Sequence, residues 1–322
     1  MIEIVAQVGL PVDERLCIKK NRISPENGGN GRRISIITGI HGDELEGQYV
    51  CWLLQQRIAA APACLTGTVD IYPAMNPFGI DSVTRGIPAF DLDMNRIFPG
   101  SVDGDMNEYL AYRIVEDIVG SDIAVDIHAS NIYLTEIPQI RVNQASADRL
   151  LPLAGRANVD FVWVHGASTV LESTLAYTLN SRGVNTLVVE MGVGMRITRS
   201  YGEQLTEGIL GLMRECGVWT GEAHVTHTPI VSSDPEEVAF LNAPVSGVFV
   251  KSRSHGALLQ PGDEIGFIID PLTGQTLHTV TSPCEGWLFT VREYPMVDQG
   301  SLMARILQGH MDEARRKGGE YP

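Results

Sequence analysis

The sequence lacks any run of 18 consecutive apolar residues, has no Cys-x-x-Cys pair, and carries fewer basic than acidic residues. Without an apolar run of that length we expect no transmembrane helix. The 24 lysines and arginines stand against 39 acidic residues, which gives a formal net charge of −15. Nucleic acid and anionic membranes both need a basic surface, so we expect neither as a partner.

The five cysteines are few and lie far apart along the 322 residues. An odd, scattered set is typical of reduced thiols, which predicts a cytoplasmic protein. The opening segment, MIEIVAQVGLPVDE, has neither a basic start nor an apolar run and does not resemble a signal peptide. The size is also compatible with a homo-oligomer, since dimers are common among enzymes of this length.

Short β-branched runs alternate with amphipathic helical patterns between about residues 33 and 216. This alternation predicts an α/β fold with a mostly parallel or mixed sheet flanked by helices. Apolar residues at helical spacing predict helices around 45–53, 106–118 and 205–213. The predicted strands, each bounded by Gly, Pro, Asp or Asn, are 34–38, 68–72, 123–127, 161–164 and 186–189.

The chain changes in composition after about residue 225. At roughly 150 residues per domain, the length itself predicts about two domains. Segment 226–240 is rich in Pro, Ser and acidic residues, and short β-like runs with frequent Gly follow it. A weak internal repeat relates 243–247 to 282–286. We therefore predict a catalytic α/β domain over 1–225 and a small all-β barrel or sandwich over 226–322.

Histidine and glutamate residues follow three of the predicted strands. His41 and Glu44 come after the first strand, His128 directly follows the 123–127 run, and Glu190 directly follows the 186–189 run. In an open α/β sheet, ligands bind outside the carboxyl ends of the strands. We therefore expect these side chains to converge at one edge of the sheet.

These residue types are suited to a catalytic zinc ion. His41 and Glu44 can chelate one ion if Glu44 opens the next helix, and His128 would complete a two-histidine, one-glutamate set with water in the fourth position. Such a zinc lowers the pKa of its water to about 7 and polarises a carbonyl. Glu190 would then be free as a general base, and Asp126 would orient His128. We predict one Zn²⁺ per chain.

Each of these features also has a simpler interpretation. A His-x-x-Glu pair often occurs by chance, and an acidic residue at the end of a strand is more often a helix cap or a surface group. The joint placement of the four residues favours a metal site over those alternatives.

The segment 75–100 is a long Pro- and Gly-rich excursion after the second predicted strand, and loops of this length are usually functional. It carries Arg85, Asn95 and Arg96. An arginine binds a carboxylate through two parallel hydrogen bonds, and an adjacent amide can assist. Beside a metal in an acidic protein, these residues favour capture of an anionic substrate group. Alternatively, the arginines pair with aspartates of the same loop and hold it in place.

Four motifs occur in a characteristic order: GIHGDELEG, DLDMNRIFPG, DIH and VVEMG. Together they resemble the succinylglutamate desuccinylase/aspartoacylase family of zinc-carboxypeptidase-like deacylases, over roughly residues 30–310. Where the family usually has Asp-Leu-Asn-Arg, this chain has Asp93-Met94-Asn95-Arg96, a change of Leu to Met only. The resemblance implies a zinc carboxypeptidase-like fold with zinc bound by His41, Glu44 and His128.

The resemblance also implies roles for the other candidate residues. Glu190 would be the general base and proton shuttle, and Arg85 would help polarise the scissile carbonyl. Asn95 and Arg96 would match the pair that grips the substrate carboxylate. A C-terminal β module in such deacylases crowds the site and restricts it to small substrates. From its position in PQIRVNQ, Arg141 is a further candidate for substrate binding.

We therefore predict a zinc-dependent amidohydrolase that removes a small acyl group from an anionic N-acyl amino acid. A metallo-carboxypeptidase acting on short peptides would use the same groups in an open cleft. A non-catalytic metal-binding protein on the same scaffold would be favoured by loss of Glu190 or of the arginine pair, and both are present. The acyl group and the amino acid stay open at this point.

Overall fold

The computed structural model describes residues 1–26, 28–88, 90–166 and 172–317. Its helices are α1 (Glu46–Ala60), α2 (Pro77–Ser82), α3 (Met106–Ile118), α4 (Ala147–Ala154), α5 (Leu175–Ser181), α6 (Arg199–Glu215) and α7 (Met311–Arg316). Its strands are β1 (Ile2–Gly9), β2 (Arg15–Ile23), β3 (Arg33–Thr38), β4 (Thr68–Tyr72), β5 (Ile123–His128), β6 (Leu134–Asn143), β7 (Phe161–His165), β8 (Asn185–Gly192), β9 (Ile230–Ser232), β10 (Val238–Asn242), β11 (Gly247–Lys251), β12 (Leu258–Leu259), β13 (Glu264–Asp270), β14 (Gln275–Thr281), β15 (Gly286–Arg292), β16 (Met296–Val297) and β17 (Leu302–Leu307). Among these helices, none has both the length and the apolar character that a membrane crossing needs.

A large mixed sheet dominates the fold. Its main path runs β1-β2-β4-β3-β5-β8-β6-β15-β17-β10. The central strands β4, β3, β5 and β8 are parallel, whereas β2 and β6 run antiparallel to their neighbours β4 and β8. The short connection 129–133 between β5 and β6 cannot hold the crossover that a parallel arrangement requires. The predicted α/β fold with a mostly parallel or mixed sheet is confirmed in its mixed form.

All five predicted strands and all three predicted helices are present, with bounds that differ by a few residues. The hairpin β1–β2 and strand β6 were not predicted, because each contains charged residues that are nevertheless buried. Lys20 of β2 is 2 % exposed, and its Nζ lies 2.6 Å from Asp117 Oδ2 and 3.4 Å from Asp70 Oδ2. In β6 the fully buried acid is Glu136. Buried, paired charges of this kind interrupt the alternation of apolar and polar residues by which a strand is recognised in a sequence.

The two faces of the large sheet are covered by different helices. Along β5, successive side chains point to opposite faces. Val125 and Ile127 pack into the apolar cluster that includes α1 and α6, whereas Ala124 packs into the cluster that includes α3 and α5. Asp126 and His128 therefore lie on the α3/α5 face. The alternation along β5 thus buries these polar residues of the site between the sheet and the helices that cover that face.

The C-terminal segment is β-rich apart from α7, as predicted. A second sheet, β14-β13-β11-β16, is antiparallel. However, β10, β15 and β17 extend the large sheet, because β15 pairs with β6 through Thr290 and Glu136. The sheet is thus continuous across residue 225. The division into domains 1–225 and 226–322 as separate folding units stays a prediction.

Candidate active site

Three buried ligand groups converge beside the carboxyl ends of β3 and β5. His41 Nδ1 lies 2.8 Å from Glu44 Oε1, and His128 Nδ1 lies 3.0 Å from Glu44 Oε2. The two Nδ1 atoms are 3.2 Å apart, and all three ligand atoms lie within 4.8 Å of one another. The structure therefore brings together the three residues that the strand-end pattern selects. Their role as zinc ligands stays a prediction.

The loop after β3 presents His41 and Glu44 through a turn. Helix α1 begins only at Glu46, so the expectation that Glu44 opens this helix is wrong by two residues. Instead, the backbone N–H of Glu44 donates to the carbonyl oxygen of His41 at 3.4 Å. His128 ends β5, which is parallel to β3 and adjacent to it, and this order brings the third ligand to the turn.

The turn depends on a close approach between two stretches of backbone. A Cβ atom on Gly42 would lie 1.9 Å from the carbonyl carbon of Gly79, far inside van der Waals contact. The N–H of Gly42 also donates to the carbonyl oxygens of Thr84 and Arg85, at 3.1 and 3.3 Å. The loop before Arg85 therefore packs directly against the turn that carries the ligands.

We expect Gly42→Ala to lower the free energy of unfolding by about 1–3 kcal/mol, because the added methyl group must push two backbones apart. The same displacement should weaken metal binding. Chemical denaturation and metal titration measure the two effects. Gly9→Ala is the matched control, since a Cβ there meets nothing within 4 Å, and its effect should stay below about 0.5 kcal/mol. Equal effects of the two substitutions would contradict the close-approach argument.

The Nε2 atom of each histidine, on the opposite side of the ring from the cluster, faces a carboxylate. His41 Nε2 lies 3.1 Å from Asp93 Oδ1, and His128 Nε2 lies 3.2 Å from Asp126 Oδ2. A carboxylate in this position keeps the proton on Nε2 and leaves the Nδ1 lone pair for a metal. Two imidazoles and a carboxylate also match the donors that zinc prefers. The residues therefore fit a zinc ion, and Asp126 lies where the sequence predicts.

Electrostatics within the cluster favour added positive charge. Burial lowers the pKa of His128, but Asp126 and Glu44 outweigh it and raise the pKa well above its usual value. Burial likewise lowers the pKa of His41, and Glu44 and Asp93 raise it overall. The pKa of Glu44 is raised by burial and lowered more strongly by the two imidazoles. A divalent cation would supply the same positive charge at the same place.

Glu190 lies beside the ligand cluster on β8. In the parallel pairing of β5 and β8, Glu190 is opposite His128, and Val188 is opposite Asp126. These side chains share one face of the sheet and line a cavity of about 220 Å³. The site thus reaches from the strand ends onto the face of the sheet. Burial raises the pKa of Glu190, although Arg141 and His128 oppose this shift.

The predicted arginines and the asparagine line the same cavity. Arg85 lies 3.0 Å from Glu44 and 3.3 Å from Asp93, so it faces a predicted ligand and also pairs within its own loop. Arg96 donates to the carbonyl oxygen of Asn95 at 2.8 Å. The side-chain oxygen of Asn95 accepts from the N–H of Leu175, and among the described residues no hydrogen bond occupies its amide N–H₂. Asp93 was not predicted as a partner of His41, although it lies in the same DLDMNRIFPG motif as Asn95 and Arg96.

Arg141 also lines the cavity, but its guanidinium contacts two carboxylates. Its Nη2 donates to both carboxylate oxygens of Glu136, at 3.1 and 2.8 Å, and its Nη1 lies 3.2 Å from Glu190 Oε1. Its predicted role in substrate binding stays a prediction. Glu136 was not predicted as part of the site, because a lone glutamate in a strand gives no signal of burial.

Comparison with known proteins gives the family. A family model described as the succinylglutamate desuccinylase/aspartoacylase catalytic domain matches residues 30–216. The chain belongs to this family. It is 27 % identical over 288 residues to the N-alpha-acetyl-L-2,4-diaminobutyric acid deacetylase of Halomonas elongata, a match that covers 86 % of this chain and 78 % of that one.

Solved structures of the family share the fold. A succinylglutamate desuccinylase/aspartoacylase from Rhodobacter sphaeroides has a TM-score of 0.78 at 23 % identity and covers 94 % of each chain. A succinylglutamate desuccinylase from Silicibacter has a TM-score of 0.81 at 20 % identity, with 95 % of each chain covered. The product-bound ectoine utilization protein EutE (DoeB) of Ruegeria pomeroyi has a TM-score of 0.78 at 19 % identity, covering 94 % of this chain and 92 % of that one.

The C-terminal segment of this family member contacts Glu136, a residue that does not itself line the cavity. All of the described residues that line the cavity lie between His41 and Glu190. None of the described residues of the C-terminal segment lines the cavity, and the expectation that the β module crowds the site stays a prediction. The module reaches the site indirectly, because Thr290 and Arg305 contact Glu136.

Proposed function

We propose that this protein is a zinc-dependent deacylase that hydrolyses the amide bond of a small, anionic N-acyl amino acid. The observation that carries the proposal is the shared cavity: His41 and His128 of the ligand cluster, Glu190 and the Asn95-Arg96 pair all line it. Membership of a deacylase family supports the reaction class. Similarity to the deacetylase of Halomonas elongata supports a substrate that is an amino acid acylated on nitrogen.

His41, Glu44 and His128 would hold the zinc. When bound there, the ion would polarise the carbonyl and supply a water of lowered pKa. Glu190 would remove a proton from the attacking water and deliver it to the departing nitrogen as the amide bond breaks. The products are a carboxylic acid and a free amine. The raised pKa of Glu190, caused by its burial, suits a group that must accept a proton and then release it.

The cationic side chains of the cavity would orient the substrate. Arg85 lies 3.0 Å from Glu44, so its guanidinium can face the carbonyl oxygen as negative charge develops there. Arg96 and the amide N–H₂ of Asn95 would bind the substrate carboxylate and fix the amide near the cluster. The charge of these groups selects an anionic substrate, although the protein as a whole is acidic.

The cavity also limits the size of the substrate. A volume of about 220 Å³ suits an acylated amino acid better than a peptide that extends beyond the site. Polar residues that carry no charge, such as Asn143, Ser146 and Tyr177, line part of the wall. N-acetyl amino acids that their carboxylate makes anionic are therefore the first candidates.

A deacylation screen tests the proposal. We expect zinc-loaded protein to release amine from at least one N-acetyl or N-succinyl amino acid. We expect it to cleave dipeptides at least about tenfold less efficiently, because the α-ammonium group of a dipeptide would add a positive charge beside Arg85 and the zinc. A chelator should abolish the activity, and added zinc should restore it. Faster cleavage of dipeptides would indicate a metallo-carboxypeptidase. No hydrolysis by fully loaded protein would indicate a non-catalytic metal-binding protein.

A further inference from the structure

We propose that Arg305, in the C-terminal β segment, positions the general base Glu190 through a buried chain of charges. The chain runs from Arg305 to Glu136, then to Arg141, and ends at Glu190. The inference rests on the proposed function, since it assigns a positioning role toward the base of that reaction. It gives the C-terminal segment a part in turnover although none of its described residues lines the cavity.

Glu136 is the centre of this chain. It is fully buried on β6, where an unpaired carboxylate would be strongly disfavoured. Arg305 Nη1 donates to its Oε1 at 2.5 Å, and Thr290 Oγ1 donates to the same oxygen at 3.0 Å. Arg141 donates to both oxygens. Residues from β6, β15 and β17 thus fix the orientation of one carboxylate.

Arg141 transmits this orientation to the base. Its Nη2 is bound by Glu136, and its Nη1 lies 3.2 Å from Glu190 Oε1. Because a guanidinium is planar and rigid, fixing one nitrogen limits where the other can lie. The position of Glu190 therefore depends on how firmly Glu136 holds Arg141.

The strand register builds the chain across four neighbouring strands. Thr290 pairs with Glu136 between β15 and β6, and also with Arg305 between β15 and β17. On the other edge of β6, Arg141 pairs with Val188, two residues before the base. An irregularity in the β6–β8 register between residues 136 and 139 separates the two halves of β6. Such an irregularity can re-aim side chains next to an active site.

Arg305 is itself held in place. Its guanidinium carbon lies 5.7 Å from the ring centre of Trp163 and 5.8 Å from that of Phe240. These cation–π contacts suit a partly buried arginine. The buried chain of charges contains two arginines and two glutamates, so its positive and negative charges balance. Without Arg305, Arg141 alone must balance Glu136, and we expect it to move toward Glu136 and away from Glu190.

Arg305→Met tests this inference in the full-length, zinc-loaded protein. We expect kcat for the best substrate of the screen to fall at least about tenfold, because the base loses its alignment. KM should change less than about twofold and zinc content should not change, since Arg305 touches neither substrate nor ligands. Arg305→Lys should recover most of the loss. Thr290→Val, which removes one hydrogen bond to Glu136, should give a smaller loss of kcat with the same unchanged KM.

Arg33→Met is the matched control. Arg33 is also a largely buried arginine that pairs with a buried carboxylate, Asp70, but it lies outside the chain to Glu190. Its loss should lower thermal stability and leave kcat unchanged. If Arg305→Met does not fold, Thr290→Val and Arg305→Lys still carry the test.

Two outcomes would overturn the inference in an active wild type. Unchanged kcat in both Arg305→Met and Thr290→Val would show that the contacts are only structural. A rise in KM at constant kcat would show that the chain orients Arg141 toward substrate instead of holding the base. An inactive wild type, by contrast, would overturn the proposed function itself, so the two failures are distinguishable.

Discussion

Glu190→Gln is expected to retain zinc and to lose nearly all turnover. The amide has the shape of the carboxylate but cannot take a proton from water, and general base catalysis typically contributes about 10²–10⁴-fold. Burial also raises the pKa of the native carboxylate, so the substitution removes a group whose environment favours proton transfer. Steady-state kinetics on the best N-acyl amino acid and elemental analysis for zinc measure the two parts of this expectation.

The surface substitution Glu203→Gln is the control for this experiment. Glu203 is an exposed residue of α6 that pairs only with Arg199, at 3.6 Å, among its described ion-pair partners. It changes the net charge by the same amount without reaching the cavity, and its kcat should match that of the wild type. If Glu190→Gln kept an activity close to that of Glu203→Gln, another group would have to be the base.

The ligand cluster could be predicted from the sequence because each ligand follows a short apolar strand. The runs before His41 and His128 are β-branched and bounded by turn residues, which identifies them as strands. A parallel sheet then brings their carboxyl ends together without any knowledge of the loops. Glu190 follows the same rule, since β8 is parallel to β5 and pairs with it. This part of the fold depends on local patterns alone.

The contacts of Asp93 with His41 and of Glu136 with Arg141 could not be predicted in the same way. Charged residues are usually exposed, so their presence in a strand or loop predicts a solvated surface. Here Glu136 is fully buried, and its partner Arg305 lies far along the chain on β17. Such a pairing depends on how distant strands meet, which no local pattern records. The residues that were not predicted thus act through another side chain: Asp93 contacts the predicted ligand His41, and Glu136 contacts Arg141. Arg141 in turn contacts Glu190.

The strand pairing that connects the two parts of the chain is another feature that local sequence patterns do not predict. A change in composition near residue 225 predicts a boundary, and the β-rich character of the C-terminal segment follows from its Gly-bounded runs. The pairing of Thr290 with Glu136 instead continues the large sheet across that boundary. Strand pairing over such a distance is decided by packing and by buried partners such as these. Composition therefore identified the segment but not its connection to the site.

His41→Ala should remove the metal together with the activity. The substitution deletes one of three ligands and leaves Glu44 and His128, and two protein ligands do not hold zinc tightly in a catalytic site. It also removes the contact with Asp93, at 3.1 Å, that orients the imidazole. We expect zinc content to fall below about one-tenth of an ion per chain after dialysis, with no detectable release of amine.

His165→Ala is the matched control for the metal content of His41→Ala. His165 lines the same cavity but is not among the three clustered ligand residues, so its loss should leave zinc bound. A stability measurement separates loss of ligand from loss of fold, because zinc should raise the melting temperature of the His165 variant and leave that of His41→Ala unchanged. Full zinc occupancy in His41→Ala would mean that the ion binds elsewhere. In that case the convergence of His41, Glu44 and His128 would be an ion-pair cluster without a metal.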